Sequence, residues 1–271
     1  MPVSFDLDQR VVVVTGGLGQ LGRRFAADLL AQGARVVVLD RVTGSDSTLG
    51  GLVPSDRSGD LMLLSCDVTS RRELEVAHDV IAGRWGPPFG LINNAALDSP
   101  PDAPASENGP FETYPESSFD EVIDVNVKGV VLCSQVFGGA MARAGRGSIV
   151  NIGSVYGLVS PDQALYAYRR EKGEAFFKPV AYSVSKSALY NLTRYLAVYW
   201  GGCGVRVNIV TFAGVFNHQD PRFLERYLPK VPLGRMANPD DYSGPILFLM
   251  SDAARYMTGA NMVVDGGFTA M

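Results

Sequence analysis

Val11-Val12-Val13-Val14-Thr15-Gly16-Gly17-Leu18-Gly19-Gln20-Leu21-Gly22 joins a β-branched run to an amphipathic stretch over Gln20–Gln32. Consecutive valines favour an extended strand buried on both faces, because their branched side chains pack on a pleated surface and offer no polar side to water. The glycines then permit a tight turn, and the helix that follows aims its first amides beyond the end of the strand. Strand, glycine-rich turn and helix in that order form the fingerprint of a dinucleotide pyrophosphate site. An ordinary strand–helix turn uses the same residue types, so the neighbouring segments decide between the two.

Outward from this turn the alternation continues. Arg35–Leu39, Leu61–Leu64, Phe89–Ile92, Ser148–Ile152, Val205–Val210 and Asn261–Val264 read as further strands, and Ser70–Arg84, Ser117–Arg143, Val180–Trp200 and Pro239–Ser251 as helices. Such a chain builds an α/β fold, a doubly wound parallel sheet with helices on both faces. Ligands of these sheets sit beyond the carboxyl ends of the strands. The candidates there are Asp40 and Arg41 after the second strand, Asp67 and Val68 after the third, and Asn94, Ala95 and Ala96 after the fourth. Asp40 lies about 20 residues past the glycine turn, where an acid bonds ribose hydroxyls and repels a 2′-phosphate. NAD is therefore expected over NADP, with Arg41 as the neighbour able to accept a phosphate.

Three stretches interrupt the alternation: Thr43–Gly59, expected as a flexible surface loop, the proline-rich Leu97–Pro115, and the long Val155–Pro179. The last follows a strand, so residues 155–179 are expected as an insertion beside the site. No linker divides residues 1–271, which read as a single domain. Hydrophobic residues at 46% and charged residues at 19% exclude a disordered chain. A net charge of −4 without a basic stripe argues against a nucleic-acid partner. No apolar run is expected to span a membrane, and Met1–Arg10 lacks the pattern of a signal peptide. Cys66, Cys133 and Cys203 have neither metal-ligand spacing nor a disulfide framework, which suits a reducing, cytoplasmic setting. Cys133 and Cys203 read as buried packing residues and His78 as a surface residue.

Tyr182-Ser183-Val184-Ser185-Lys186 falls within the Val180–Trp200 helix, and its i, i+4 spacing puts phenol and ammonium on one face. A cation beside a phenol favours its ionised form and brings it toward proton exchange. Ser154, just after a strand, is placed to hold a carbonyl oxygen. With these residues in view the chain resembles the short-chain dehydrogenase/reductase family over nearly its whole length. The matching motifs are Thr15–Gly22, Asp67-Val68, Asn93-Asn94-Ala95, Asp124-Val125-Asn126-Val127, Ser154, Tyr182 with Lys186, Arg206-Val207-Asn208 and Val264-Asp265-Gly266-Gly267.

The resemblance implies a seven-stranded Rossmann-like sheet, assembly as a homotetramer or homodimer, and hydride transfer between an alcohol and a ketone or aldehyde. It implies a tetrad: Tyr182 as general acid/base, Ser154 polarising the substrate oxygen, Lys186 holding the nicotinamide ribose, and Asn126 positioning a water. Cofactor contacts are expected from Gly16, Gly19, Gln20, Leu21 and Gly22, and from Ala213, Gly214 and Val215. Two departures stand out: Gln20 occupies a position where the common spacing has glycine, and Phe212-Ala213 replaces a Pro-Gly pair.

The long 155–179 segment and Lys178-Pro179-Val180-Ala181-Tyr182-Ser183 are similar to dehydrogenases of flagellin-glycosylation and nonulosonate pathways, which implies a sugar or sugar phosphate as substrate. Substrate candidates are Ser154, Tyr156, Arg169, Arg170, Lys178, Phe216 and His218, with the cations expected to meet an anionic group. Tyr190, Tyr195, Tyr199 and Trp200 read as core or subunit interface. Two alternatives stay open: a nucleotide-sugar epimerase or dehydratase holding NAD tightly, and a non-catalytic dinucleotide-binding protein.

Overall fold

In the computed structural model, which describes residues 5–42, 55–98 and 108–271, strand β1 (Val11–Thr15) pairs in parallel with β2 (Arg35–Asp40) and β4 (Gly90–Asn93). β3 (Leu61–Ser65), β5 (Gly147–Ser154), β6 (Val205–Phe212) and β7 (Asn261–Val264) complete a seven-stranded sheet in the order β3-β2-β1-β4-β5-β6-β7. The chain winds outward from β1 to β3, then crosses back to β4. That reversal opens a crevice at the carboxyl ends of β1 and β4.

The valine run is apolar throughout because both of its sides are covered. Val12 and Val14 meet Phe25, Leu29 and Leu30 of helix α1 (Gln20–Ala31) on one face. Val11 and Val13 face Leu74 and Ile81 of α2 (Arg71–Trp85), Phe137 of α3 (Glu116–Arg143) and Trp200 at the far end of the helix that carries Tyr182. Helix α3 is long and apolar enough to cross a membrane by length alone, yet Val130, Cys133, Phe137 and Met141 are buried against the sheet and its neighbours. It is a core helix. Two stretches of it, Asp124–Gly129 and Ser134–Gly138, are wound as π-helix.

The remaining helices are α4 (Ala167–Arg170), α5 (Val180–Gly201), α6 (Pro221–Tyr227) and α7 (Ser243–Met250). The expected Pro239–Ser251 helix starts as a 3-10 turn over Pro239–Tyr242, where Asn238 and Asp241 form a capping box. The expected Thr43–Gly59 loop ends in a 3-10 turn at Ser55–Asp60, with Asp60 paired to Arg57 at 3.2 Å and Arg35 at 3.7 Å; residues 43–54 lie outside the described residues. So do residues 99–107 of the proline-rich stretch. The 155–179 segment is built from short turns, at Val155–Gly157, Gln163–Tyr166 and α4. Cys203 is exposed, contrary to expectation, because it sits in the glycine-rich turn leaving α5. His78 is half-buried with its ring 6.4 Å from that of Phe137.

A buried polar chain ties the central strands to α5. Asn93 Nδ2 donates to Asn151 Oδ1 at 2.8 Å, Asn151 Nδ2 to Thr193 Oγ1 at 2.9 Å, and Thr193 Oγ1 to the Leu189 carbonyl at 2.7 Å. Replacing Asn151 with Ala takes one buried partner each from Asn93 Nδ2 and Thr193 Oγ1. The expected loss is about 2–4 kcal/mol in chemical denaturation, and unchanged stability would show that the chain carries no load.

Candidate active site

The β1–α1 turn folds onto itself so closely that side chains are excluded. A Cβ on Gly22 would lie 2.3 Å from the Gly16 carbonyl oxygen. Gly16 adopts a φ of +59°, and a Cβ there would stand 2.7 Å from the Cα of Ala95. Asn94 clamps the turn, its Nδ2 donating to the carbonyls of Thr15 at 3.0 Å and Gly16 at 2.9 Å. Thr15 Oγ1 accepts from the Asn94 and Ala95 amides, both at 3.0 Å.

At the end of β2, Asp40 accepts from the Leu18 amide through Oδ2 at 3.0 Å and from the Val42 amide through Oδ1 at 3.2 Å. Both oxygens keep a further lone pair for a ligand hydroxyl. Asp67 is held by the Thr69 amide at 2.8 Å and hydroxyl at 2.7 Å. Burial opposes its charge, but these bonds and the Arg41 guanidinium outweigh it and hold the carboxyl below its usual range. Val68 is a packing residue, buried where a Cβ on Gly129 would meet its Cγ2 at 2.9 Å. A turn with room only for backbone, flanked by an oriented carboxylate, fits a dinucleotide.

The structure also accounts for the two departures. Gln20 turns its side chain away from the glycine turn and donates through Nε2 to the Phe216 carbonyl at 2.8 Å. Phe212 stacks on Tyr242 with ring centroids 3.8 Å apart. Tyr242 Oη then donates to the Ala213 carbonyl at 3.0 Å, and the Gly214 amide donates to Tyr227 Oη at 2.9 Å. Ring stacking and two phenols thus hold the backbone where a Pro-Gly pair was expected.

Ser154 at the end of β5 and Tyr182 and Lys186 on α5 converge on one cavity of about 850 Å³, which also takes in Gln20, Leu21, Asn94, Ala96, Ala213, Gly214 and Val215. Gly16, Gly19, Gly22, Asp40, Arg41, Asp67, Val68 and Ala95 lie outside that lining. Burial pushes the Tyr182 phenol well above its ordinary pKa and the Asp98 charge adds to this, while a hydrogen bond from Ser154 pulls it back. Burial lowers the Lys186 ammonium to about 8. Its Nζ donates to the Ile152 carbonyl at 2.9 Å and stands 5.7 Å from the centre of the Tyr182 ring.

Asn126 is not in the cavity lining. It lies in the first π-wound stretch of α3, with Oδ1 accepting from the Leu97 amide at 2.7 Å and Nδ2 donating to the Leu97 carbonyl at 2.9 Å and to Ser185 Oγ at 3.0 Å. Through these contacts the side chain positions the segment after β4.

Of the substrate candidates, Tyr156, Arg169, Lys178 and His218 line the cavity with Ser154. Arg170 and Phe216 do not. The Arg170 guanidinium donates to the carbonyls of Phe176 and Gln163, both at 2.8 Å, and so holds the 155–179 segment together. Phe216 is exposed and contributes its carbonyl to Gln20. The expected encounter of free cations with an anion also changes: Arg169 is paired with Glu174 at 2.5 Å, and Lys178 is paired with Asp98.

Sequence reading missed Tyr190 as a site residue. Its Oη donates to the Ser154 carbonyl at 2.9 Å and lies 2.8 Å from Thr211 Oγ1, fixing the end of β5. Its spacing of four residues from Lys186 on the same helix was the available signal. Asp98, Tyr166 and Tyr227, which also line the cavity, gave none.

The sequence profile described as enoyl-(acyl carrier protein) reductase matches residues 19–269. D-threitol dehydrogenase of Mycolicibacterium smegmatis is 31% identical, over 99% of this chain and 97% of its own length. Galactitol 2-dehydrogenase of Rhizobium johnstonii is 32% identical, over 98% and 97%. Among solved structures, a short-chain dehydrogenase from Leptospira borgpetersenii with bound NAD+ superimposes with a TM-score of 0.85 at 32% identity, covering 99% of this chain and 97% of that one.

The turn geometry makes Gly22→Ala a direct test of the cradle. The added methyl must push the Gly16 carbonyl aside, so the dissociation constant for NADH, followed by nicotinamide fluorescence, is expected to rise by about tenfold or more. An unaltered constant would mean that the turn does not hold the dinucleotide.

Proposed function

This chain belongs to the short-chain dehydrogenase/reductase family, whose NAD(P)-dependent interconversion of alcohol and ketone it performs, and from that premise we propose that it oxidises a secondary hydroxyl of a polyol or sugar alcohol with NAD, using Tyr182 as general acid/base. The observation that carries this reading is the convergence of Ser154, Tyr182 and Lys186 on a cavity whose walls also carry phenols, the amides of Asn94, Asn217 and Gln219, and the pairs Arg169–Glu174 and Lys178–Asp98. Such walls match neutral, hydroxyl-rich substrates. The relatives named for threitol and galactitol support the same class. Asp40, set beside the glycine turn with lone pairs to spare, supports NAD over NADP.

When bound, the nicotinamide ring takes up or returns the hydride. Ser154 holds the substrate oxygen, and Tyr182 takes its proton during oxidation or returns it during reduction. Lys186 keeps a positive charge close to the phenol and so favours its ionised form. Asn126 and Tyr190 act as positioning residues, the first by clasping Leu97 and the second by fixing the Ser154 backbone. Buried, unbridged Cys66 and Cys133 support a cytoplasmic setting. The exposed row Tyr195, Val198 and Tyr199 on α5, at 63%, 86% and 65% exposure, supports assembly as a homodimer or homotetramer.

Tyr182→Phe is expected to lower kcat for alcohol oxidation by at least about 10²-fold while NADH binding stays within about threefold. Equal activity of the variant would remove the phenol from the reaction. Burial lowers the Lys186 ammonium to about 8, so the charge that favours the ionised phenol is lost as pH rises through that value. Alcohol oxidation is therefore expected to lose rate as pH rises past about 8, and a rate unchanged across that value would remove Lys186 from the proton step.

Asp40→Ser removes the charge facing a 2′-phosphate, and NADPH affinity is expected to improve by about tenfold. No change in the NADPH to NADH ratio would show that other groups choose the cofactor.

A further inference from the structure

Lys178 and Asp98 form an ion pair beside the reacting phenol that the chemistry of hydride and proton transfer does not call for. The Asp98 side chain is 52% exposed and that of Lys178 8%. Its ammonium stands 5.0 Å from the centre of the Tyr182 ring, and both residues line the cavity. Asp98 lines the cavity at its solvent-exposed edge, and its charge reaches Tyr182 and Lys186.

Each partner is mounted on backbone gripped by a side-chain amide. Gln163 Oε1 accepts from the Lys178 amide at 2.9 Å and its Nε2 donates to the Lys178 carbonyl at 3.2 Å. Asn126 grips Leu97, the residue before Asp98, in the same two-pronged way at 2.7 and 2.9 Å. Gln163 is in turn held by Arg170, which donates to its carbonyl at 2.8 Å. The 155–179 segment thus delivers one member of the pair and the segment after β4 delivers the other. Both are pre-organised, as a recognition element must be.

A lysine and a carboxylate side by side present a donor and an acceptor within one hydrogen-bond length. An anionic substrate group would meet Asp98 and a cationic one would meet Lys178, each with repulsion at close range. A hydroxyl satisfies both, since it donates and accepts at once. The pair lies against the Tyr182 ring, next to the carbinol that Tyr182 deprotonates, so the hydroxyl within reach is the one on the adjacent carbon.

We propose that the Lys178–Asp98 pair selects the substrate by holding the hydroxyl on the carbon next to the one oxidised, with Lys178 donating to that oxygen and Asp98 accepting its hydrogen. The inference rests on the polyol reading of the site and narrows it to vicinal diols. A bare methylene in place of that hydroxyl costs the substrate its bonds to the nearly buried Lys178 and to Asp98, so the substrate that lacks the hydroxyl binds less well.

The test uses 2,3-butanediol and 2-butanol, which differ by that one hydroxyl. For the wild-type enzyme with NAD, kcat/KM is expected to favour the diol by about 100-fold. In Lys178→Met/Asp98→Asn the preference is expected to fall below about tenfold, through a rise in KM for the diol. Lys178→Arg, which keeps a cationic donor beside Asp98, is expected to restore part of it. NADH binding by fluorescence reports whether each variant is folded, and Lys178→Gln replaces the double variant if it is not. A preference that survives in the folded variant overturns the proposal, as do parallel losses on both substrates, which would mark a structural pair. Equal wild-type rates on the two alcohols overturn the pair as selector while leaving secondary-alcohol oxidation intact. No turnover of any vicinal diol or alditol overturns the polyol reading and this proposal with it.

Discussion

The 2.3 Å that would separate a Gly22 Cβ from the Gly16 carbonyl oxygen is the constraint on which the rest of the site depends. Because no side chain fits between the end of β1 and the first turn of α1, the helix starts directly over the strand. Its amides then face the crevice created where the sheet reverses direction between β1 and β4. Asn94 and Thr15 lock that arrangement from the β4 side, and Asp40 locks it from the β2 side. Each clamp is a side chain bonded to backbone of a neighbouring strand end. The cradle is therefore a product of the sheet order rather than of any one segment.

A second level of organisation concerns charge. The cavity gathers the cations Arg169, Lys172, Lys178 and Lys186 and the carboxylates Asp98, Glu174 and Asp220, with Tyr182 among them. Buried charges are tolerated only when paired and bonded, and Arg169 and Lys178 meet that condition through the half-exposed carboxylates of Glu174 and Asp98. Lys186 lacks a carboxylate within ion-pair distance among the described residues and rests on the Ile152 carbonyl instead. Burial brings it to about 8. A lysine so poised can influence the phenol beside it near neutral pH, whereas a solvated lysine would stay charged and distant.

The parallel sheet was legible because β-branched runs buried on both faces leave no alternation to confuse with a helix, as at Val11–Val14, and all seven strands were placed within about two residues. The serine, tyrosine and lysine that meet in the cavity were legible from motif and helical spacing. The short turns of the 155–179 segment, and helix α6, were not. Their order comes from contacts between distant parts of the chain, such as Arg226 with the Ala164 carbonyl at 2.7 Å and the Tyr166 ring 5.6 Å from that of Phe223. No local periodicity encodes such contacts. That Arg170 and Phe216 lie outside the cavity lining was not legible for the same reason, since proximity in sequence to the site gives no view of which way a side chain turns.

By itself, the sequence determined the sheet, the glycine turn, the acid at the end of β2 and the serine, tyrosine and lysine that meet in the cavity, because each follows from a local rule of sterics or spacing or from a motif. Only the tertiary structure decided that Gln20 leaves the turn for Phe216, that Asn126 clasps Leu97, and that Lys178 is neutralised by Asp98. Those outcomes depend on side chains from elements up to 196 residues apart in sequence, and a partner at that distance exists only once the sheet has closed.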